Sequence, residues 1–162
     1  MRSFSNLWFW IVLAVAWSSA SHWVLGVPYD MVLRAKRHGG QAAADLEDLV
    51  RINVGRLLRL VRTAGLWLLG AAAFVLTALL VLAFWYDVEF AQAVALIALP
   101  MTLVAALSLA AARRIEAAWP MGDDLARVLG RHRFWTQVIG LVSIFVTAMY
   151  GMYQNLAVMP GY

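Results

Sequence analysis

Four long apolar stretches, separated by more polar connections, dominate the pattern of this chain. They cover approximately residues 7–27, 64–86, 91–112 and 134–157, and each holds the roughly 20 apolar residues that a helix needs to cross a ~30 Å hydrocarbon core. A backbone inside lipid must satisfy its own hydrogen bonds, which favours helices. The pattern therefore predicts an all-α fold, an integral membrane four-helix bundle that forms one domain over residues 1–162.

The connection between the first two stretches has a periodicity of its own. It is split by Gly39 and Gly40, and from residue 42 to residue 62 apolar side chains recur at intervals of three and four. This spacing predicts a cytoplasmic amphipathic helix that either lies along the membrane surface or continues the second span as a stalk whose apolar stripe a partner covers. Its basic face consists of Arg51, Arg56, Arg59 and Arg62.

The positions of the basic residues predict a topology. Twelve of the 13 Lys and Arg residues fall in two connections, residues 28–63 and 113–133. Basic residues close to the ends of membrane spans stay on the cytoplasmic side, so the acidic link around Asp87 and Glu89 should lie outside. We therefore expect a multi-pass protein of the bacterial inner membrane with both termini in the periplasm.

Composition agrees with a membrane protein and narrows its chemistry. The chain is 64% hydrophobic and 14% charged, whereas soluble domains average roughly half apolar and a quarter charged. The net charge of +4 is explained by basic residues facing an anionic leaflet, so nucleic acid is not expected as a partner. The chain has no cysteine, which excludes disulfides, thiolate metal sites and a cysteine nucleophile.

Motifs that carry catalysis do not occur. The chain has no Gly-Xaa-Ser-Xaa-Gly elbow, no His-Glu-Xaa-Xaa-His pair and no phosphate-binding glycine loop. No Asp, Glu, Lys or Arg lies inside a predicted span, whereas coupled transporters usually place such groups near the midplane. We therefore expect no enzyme activity, no metal and no cofactor.

Small side chains recur at helical spacing in three of the spans. Small residues allow membrane helices to approach closely, so these positions predict helix–helix contacts. They serve either the packing of the bundle itself or docking against another subunit. The candidates are Ala14, Ser18, His22 and Gly26 in the first span, Ala95, Thr102 and Ala106 in the third, and Ser143, Thr147 and Gly151 in the fourth.

His22 is the titratable side chain placed well inside a predicted span, since His38 and His132 fall in the connections. Ionisable groups within a membrane are costly and are often functional. We expect a neutral histidine that is hydrogen-bonded to Ser18 or to another helix. The alternative is that His22 and Ser18, with a kink at Pro100, line the polar path of a small homo-oligomeric channel or transporter-like module.

Three segments resemble one family. They are MRSFSNLWFWIVLAVAWSSASHWVLGVPYDMV, ADLEDLVRINVGRLL and FWYDVEFAQAVALIALPM. They are similar to a family of small multi-pass membrane proteins of Rhodobacter-type alphaproteobacteria, some members of which carry the name "component of SufBCD complex". That name would imply a link to iron–sulfur cluster assembly. The resemblance covers most of the chain but carries over no site residues.

The chain has predicted helix-contact faces and no catalytic motif. This combination favours a role in the assembly of a protein complex. We expect a non-catalytic accessory subunit or assembly factor of a larger membrane complex, with a respiratory or photosynthetic one suiting the suspected host. Its partners would be membrane lipids and other subunits of the complex, with a second copy of the chain as a further option.

Overall fold

The computed structural model describes residues 7–157, so the predictions about the two termini lie outside it. Within these residues the predicted helical fold class is confirmed. The elements are α1 (Leu7–His22), β1 (Trp23–Val24), β2 (Val27–Pro28), α2 (Tyr29–His38), α3 (Gly40–Leu80), a π-helical segment (Val81–Trp85), α4 (Glu89–Ala118) and α5 (Gly122–Ala157).

Three helices are long and apolar enough to cross a membrane. They are α3 together with the π-helical segment, α4, and α5 as far as Gln154. The first helix is apolar too, but its 16 residues correspond to only ~24 Å. The pattern of spans is thus confirmed in its coarse form, as a helical protein with three helices of membrane-spanning length.

The first helix ends earlier than the predicted span over residues 7–27. After His22 the chain forms a hairpin in which Trp23 pairs with Pro28 and Val24 pairs with Val27. Leu25 and Gly26 make the turn with φ values of 52° and 76°. Two consecutive positive φ angles are typical of a two-residue type I′ turn, which reverses the chain.

The amphipathic segment over residues 42–62 is not a separate helix. It is the first half of α3, which runs without interruption for 41 residues from Gly40, because no proline or paired glycine follows Gly40 to break it. The predicted division at Gly39 and Gly40 is present, since both have positive φ and separate α2 from α3. The bounds of α3 agree with the alternative in which the amphipathic helix continues the second span as a stalk. Its apolar stripe, however, is covered by other helices of this chain.

The main core lies at one end of the molecule. Here α2, the first half of α3, the end of α4 and the start of α5 meet, and we call this the basic end because most Lys and Arg residues lie on these segments. Its buried residues are Val24, Val27, Val32, Ala35, Leu46, Val50, Val54, Leu58, Ala112, Ile115, Leu125, Ala126 and Leu129. A smaller cluster of Ala83, Ala91 and Ala95 lies near the link at Asp87, which we call the Asp87 end.

Candidate functional site

The second half of α3 is exposed on every side. Each residue from 66 to 75 is exposed, and these ten residues make almost three helical turns. The exposed fraction is 84% for Leu66, 82% for Trp67 and 75% for Phe74. We call residues 66–75 the exposed segment. No other element of the described chain covers its apolar side chains.

The predicted contact face of the first span points away from the rest of the chain. Ala14, Ser18 and His22 are exposed on α1, whereas Trp17 on an adjacent face is buried. Trp17 lies directly on Gly140 of α5, where an added Cβ would come within 2.7 Å of the indole Cε3. Helix α1 therefore docks through a tryptophan on a glycine, and its small residues remain free.

Gly26 lies in the hairpin turn, not on α1. Its carbonyl oxygen accepts a hydrogen bond of 3.0 Å from Nδ2 of Asn53 on α3. The same amide would be 3.1 Å from a Cβ added to Gly26. Gly26 thus connects the hairpin to α3, a role that the small-residue spacing did not indicate.

The predicted contact residues of α4 and α5 divide into two groups. Ala95, Ser143, Thr147 and Gly151 are buried within the chain, so they pack the bundle, while Thr102 and Ala106 are exposed.

Pro100 explains one of these buried contacts. A proline inside a helix removes the hydrogen bond to the carbonyl four residues earlier, which here belongs to Leu96. The hydroxyl of Ser143 lies 3.4 Å from that carbonyl oxygen and donates to it. A polar side chain of α5 therefore partly replaces the backbone donor that α4 lacks.

The basic face of α3 is partly neutralised by the chain itself. Arg62 donates two hydrogen bonds to the carboxylate of Glu116 on α4. Arg51 lies 3.5 Å from the carboxylate of Asp48, and its guanidinium carbon is 5.9 Å from the ring of Trp119. Arg59 donates to the backbone carbonyl of Gly55 over 3.4 Å, and Arg56 is exposed.

A buried amide network at the Asp87 end was missed from the sequence. Nε2 of Gln92 donates to the carbonyl of Ala83 at 2.9 Å and to the carboxylate of Asp87 at 2.7 Å. Nε2 of Gln154 donates to Oε1 of Gln92 at 2.9 Å and to the hydroxyl of Tyr150 at 3.1 Å. The network joins α4, α5 and the π-helical segment. The sequence feature that could have indicated this network is a glutamine near the end of each of two apolar spans.

His132 does not lie in a connection as expected, but is buried in α5. Its Nε2 is 3.0 Å from the hydroxyl of Ser108 on α4, and that hydroxyl donates to the carbonyl of Val104 at 2.9 Å. Nδ1 of His132 is buried and has no hydrogen-bond partner among the described residues. The next residue, Arg133, stacks on Tyr29 of α2 with its guanidinium carbon 3.8 Å from the ring centroid.

A groove of about 770 Å³ runs between α4 and α5. Apolar side chains such as Leu103, Leu107 and Val142 form most of its walls, and Arg114, Arg131 and His132 line it toward the basic end. Ser18 and His22 do not line this groove, whereas Pro100 does. The residues of the predicted polar path are thus not brought together within the described chain.

The described residues contain no group of three or more His, Asp or Glu side chains arranged to hold a metal ion. Comparisons of the chain with known protein families, with curated proteins and with solved structures found no match. The resemblance to the Rhodobacter-type membrane family therefore stays a prediction, and the functional argument rests on the molecule itself.

Proposed function

We propose that the protein is a non-catalytic accessory subunit or assembly factor of a larger membrane complex. The observation that carries this proposal is the exposed segment, a stretch of α3 in which every residue from 66 to 75 is exposed. The chain buries residues on both sides of this stretch, Leu58 of α3 in the basic end and Ala83 of the π-helical segment in the Asp87 end. A helix held at two ends and uncovered between them offers space for a helix of another subunit.

Lipid alone can cover leucine and phenylalanine, so exposure of large apolar residues is not the whole argument. Membrane helices associate through small residues that let their backbones approach. The exposed segment contains Gly70 followed by three alanines, and a Cβ added at Gly70 would meet nothing within 4 Å. Ala14 and Ser18 on α1 add a second outward face of small residues. These faces suit close contact with another protein.

The proposed setting is the bacterial inner membrane, with a multi-pass arrangement of four membrane helices. The concentration of Lys and Arg in two connections supports a cytoplasmic basic end and periplasmic termini. The first half of α3 would then project into the cytoplasm as an amphipathic stalk. The shortness of α1, at 16 residues, is compatible with crossing because local thinning of the bilayer costs only fractions of a kcal/mol per Å of mismatch.

Photo-crosslinking in native membranes tests the accessory role. A photoreactive amino acid in place of Phe74 should give an adduct with a different membrane protein, and mild-detergent purification should yield the same partner. Phe145 on α5 is the matched control, because it is also an exposed aromatic residue, at 65% against 75% for Phe74.

Two results would contradict the proposal. If Phe74 crosslinks only to lipid and the protein migrates as a monomer, the accessory role fails. An adduct of twice the chain mass would replace a heteromeric partner with a second copy of this chain.

Cysteine labelling tests the orientation on a background that has no cysteine. Val88→Cys in the link before α4 should react with an impermeant maleimide in intact cells. His38→Cys at the end of α2 should react only after the membrane is opened. The opposite pattern would invert the topology and leave the accessory role standing.

A further inference from the structure

We infer that the groove between α4 and α5 is a binding site for one anionic phospholipid. Its volume of about 770 Å³ lies within the ~300–1,000 Å³ typical of ligand clefts. One part of the groove is apolar and the part toward the basic end carries two arginines and a histidine. This arrangement matches a molecule with a negative head and a hydrocarbon tail.

The two arginines supply the charge complementarity. Arg114 of α4 and Arg131 of α5 both line the groove, and neither forms an ion pair within residues 7–157. Arg62 and Arg127, by contrast, are each paired with a carboxylate. Two unpaired guanidinium groups, one on each helix that forms the groove, give this part of it a positive charge that favours an anion. A phosphate group accepts hydrogen bonds from both, since the planar guanidinium matches its geometry.

His132 adds a polar side chain to the wall of the groove near the two arginines. Its side chain lines the groove, and the residue is only 9% exposed. Because the Ser108 hydroxyl donates to the carbonyl of Val104, it accepts from Nε2–H of His132, which leaves Nδ1 as an acceptor. That acceptor is buried without a partner, and an unmatched buried acceptor costs free energy.

The dimensions along α4 fit one leaflet. From Arg114 to Leu103 the helix rises by ~16 Å, close to the ~15 Å that is half of a hydrocarbon core. A headgroup at Arg114 and Arg131 therefore places its acyl chains beside Leu107 and Leu103. The surrounding membrane supplies this occupant directly, and basic pockets between membrane helices on the cytoplasmic side are known to bind anionic headgroups. The inference does not depend on the accessory role.

Lipid binding to the purified protein tests the inference. The protein is titrated in zwitterionic phosphatidylcholine nanodiscs with phosphatidylglycerol, and retained lipid is counted by native mass spectrometry. Arg114→Gln and Arg131→Gln should each weaken binding about fivefold, and the double variant roughly thirtyfold. Arg56→Gln with Arg59→Gln is the matched control, because it removes the same charge from basic residues that do not line the groove. It should leave binding unchanged.

A second variant tests the apolar half. Leu103→Trp places a larger side chain in the groove and should reduce binding of phosphatidylglycerol while both arginines remain. Circular dichroism and a monodisperse elution profile establish that each variant is folded. An excess of inorganic phosphate should not displace the lipid, since the acyl chains contribute to affinity.

Several outcomes would overturn the inference. Equal retention in the arginine double variant and its control would show that general surface charge is responsible. Equal binding of phosphatidylcholine would remove the role of the headgroup, and displacement by inorganic phosphate would reduce the site to an anion site. A protein crosslink from position 103 would mean that a polypeptide occupies the groove.

Discussion

The two halves of α3 have similar apolar side chains and opposite surroundings. In the first half, Leu46 and Val50 are 1% and 2% exposed. In the second half, Leu66 and Leu69 are 84% and 67% exposed. One continuous helix thus passes from a tightly packed core into a stretch that none of the residues 7–157 outside it covers.

The proposed membrane setting accounts for this difference. Water drives large apolar residues together, so a stripe outside the membrane is stable only when it is buried. Lipid provides no such force, and helices inside it associate through small residues and interhelical hydrogen bonds. Contacts of this kind occur in this chain, where Trp17 of α1 lies on Gly140 of α5 and Gln92 of α4 is hydrogen-bonded to Gln154 of α5.

The largest expected effect is in the packed half. Leu46→Ala should lower the free energy of unfolding by about 2–5 kcal/mol, because it leaves a cavity in a close-packed core. Thermal unfolding in mild detergent, followed by circular dichroism, measures the loss. Leu60→Ala on the same helix is the control, since Leu60 is 53% exposed and surface changes usually stay within ~0.5 kcal/mol. Equal losses in the two variants would remove the contrast between core and surface.

The sequence predicts the apolar periodicity of α3 well, but it does not predict where this helix ends. The stripe over residues 42–62 is the buried face, because spacing of three and four defines a helix face wherever that helix lies. Whether that helix continues into the span cannot be decided from the pattern, since both alternatives have the same periodicity. The stalk alternative placed a partner on the stripe, whereas α2, α4 and α5 cover it.

The sequence did not predict the early end of α1 or the hydrogen bonds between helices, and the reason is a different one. The apolar run Val24, Leu25, Gly26 and Val27 is equally compatible with a membrane helix, and a positive φ at Leu25 is rare for a residue with a Cβ. The amide pair joins residues 62 positions apart. Such a contact depends on how the helices pack and not on local spacing, so no motif identifies it.

A smaller effect is expected where α1 docks on α5. Gly140→Ala should destabilise the protein by about 1–3 kcal/mol, because the added methyl overpacks the site. The Cβ added at residue 140 would lie 2.7 Å from Cε3 of the indole ring of Trp17. Thermal unfolding and the fluorescence of the tryptophans report the change.

Gly70→Ala in the exposed segment is the matched control. Nothing lies within 4 Å of its added Cβ, so it should be neutral or raise stability by up to ~1 kcal/mol through helix propensity. If Gly140→Ala does not destabilise the protein, or does so no more than Gly70→Ala, then α1 is not held by this contact.

The amide network of Gln92 and Gln154 should contribute less to stability than the packing of Leu46 or the contact of Trp17 with Gly140. Gln92→Leu keeps the volume roughly constant and removes the donors to Ala83 and Asp87 and the acceptor for Gln154. We expect a loss of about 0.6–2 kcal/mol, the range found for polar contacts between membrane helices. Gln137→Leu is the control, because Gln137 is an exposed amide on α5. An equal response of the two variants would mean that the network does not join the helices.

The smallest effect on the isolated protein is expected in the exposed segment. Phe74→Ala should change the free energy of unfolding by no more than ~0.5 kcal/mol, because Phe74 is 75% exposed and has no intramolecular packing to lose. If the exposed segment binds another subunit, the same substitution should nevertheless reduce comigration with that partner in mild detergent, since a buried aromatic residue is then removed from the interface.

Phe145→Ala is the control that helps to decide whether another subunit or lipid covers Phe74. It removes a similarly exposed aromatic residue from α5 and should leave both stability and comigration unchanged. A Phe74→Ala protein that unfolds normally and loses its partner places the contact on α3. A Phe74→Ala protein that unfolds normally and keeps its partner shows that lipid, and not a subunit, covers the second half of α3, so the contrast within this helix would reflect the bilayer alone.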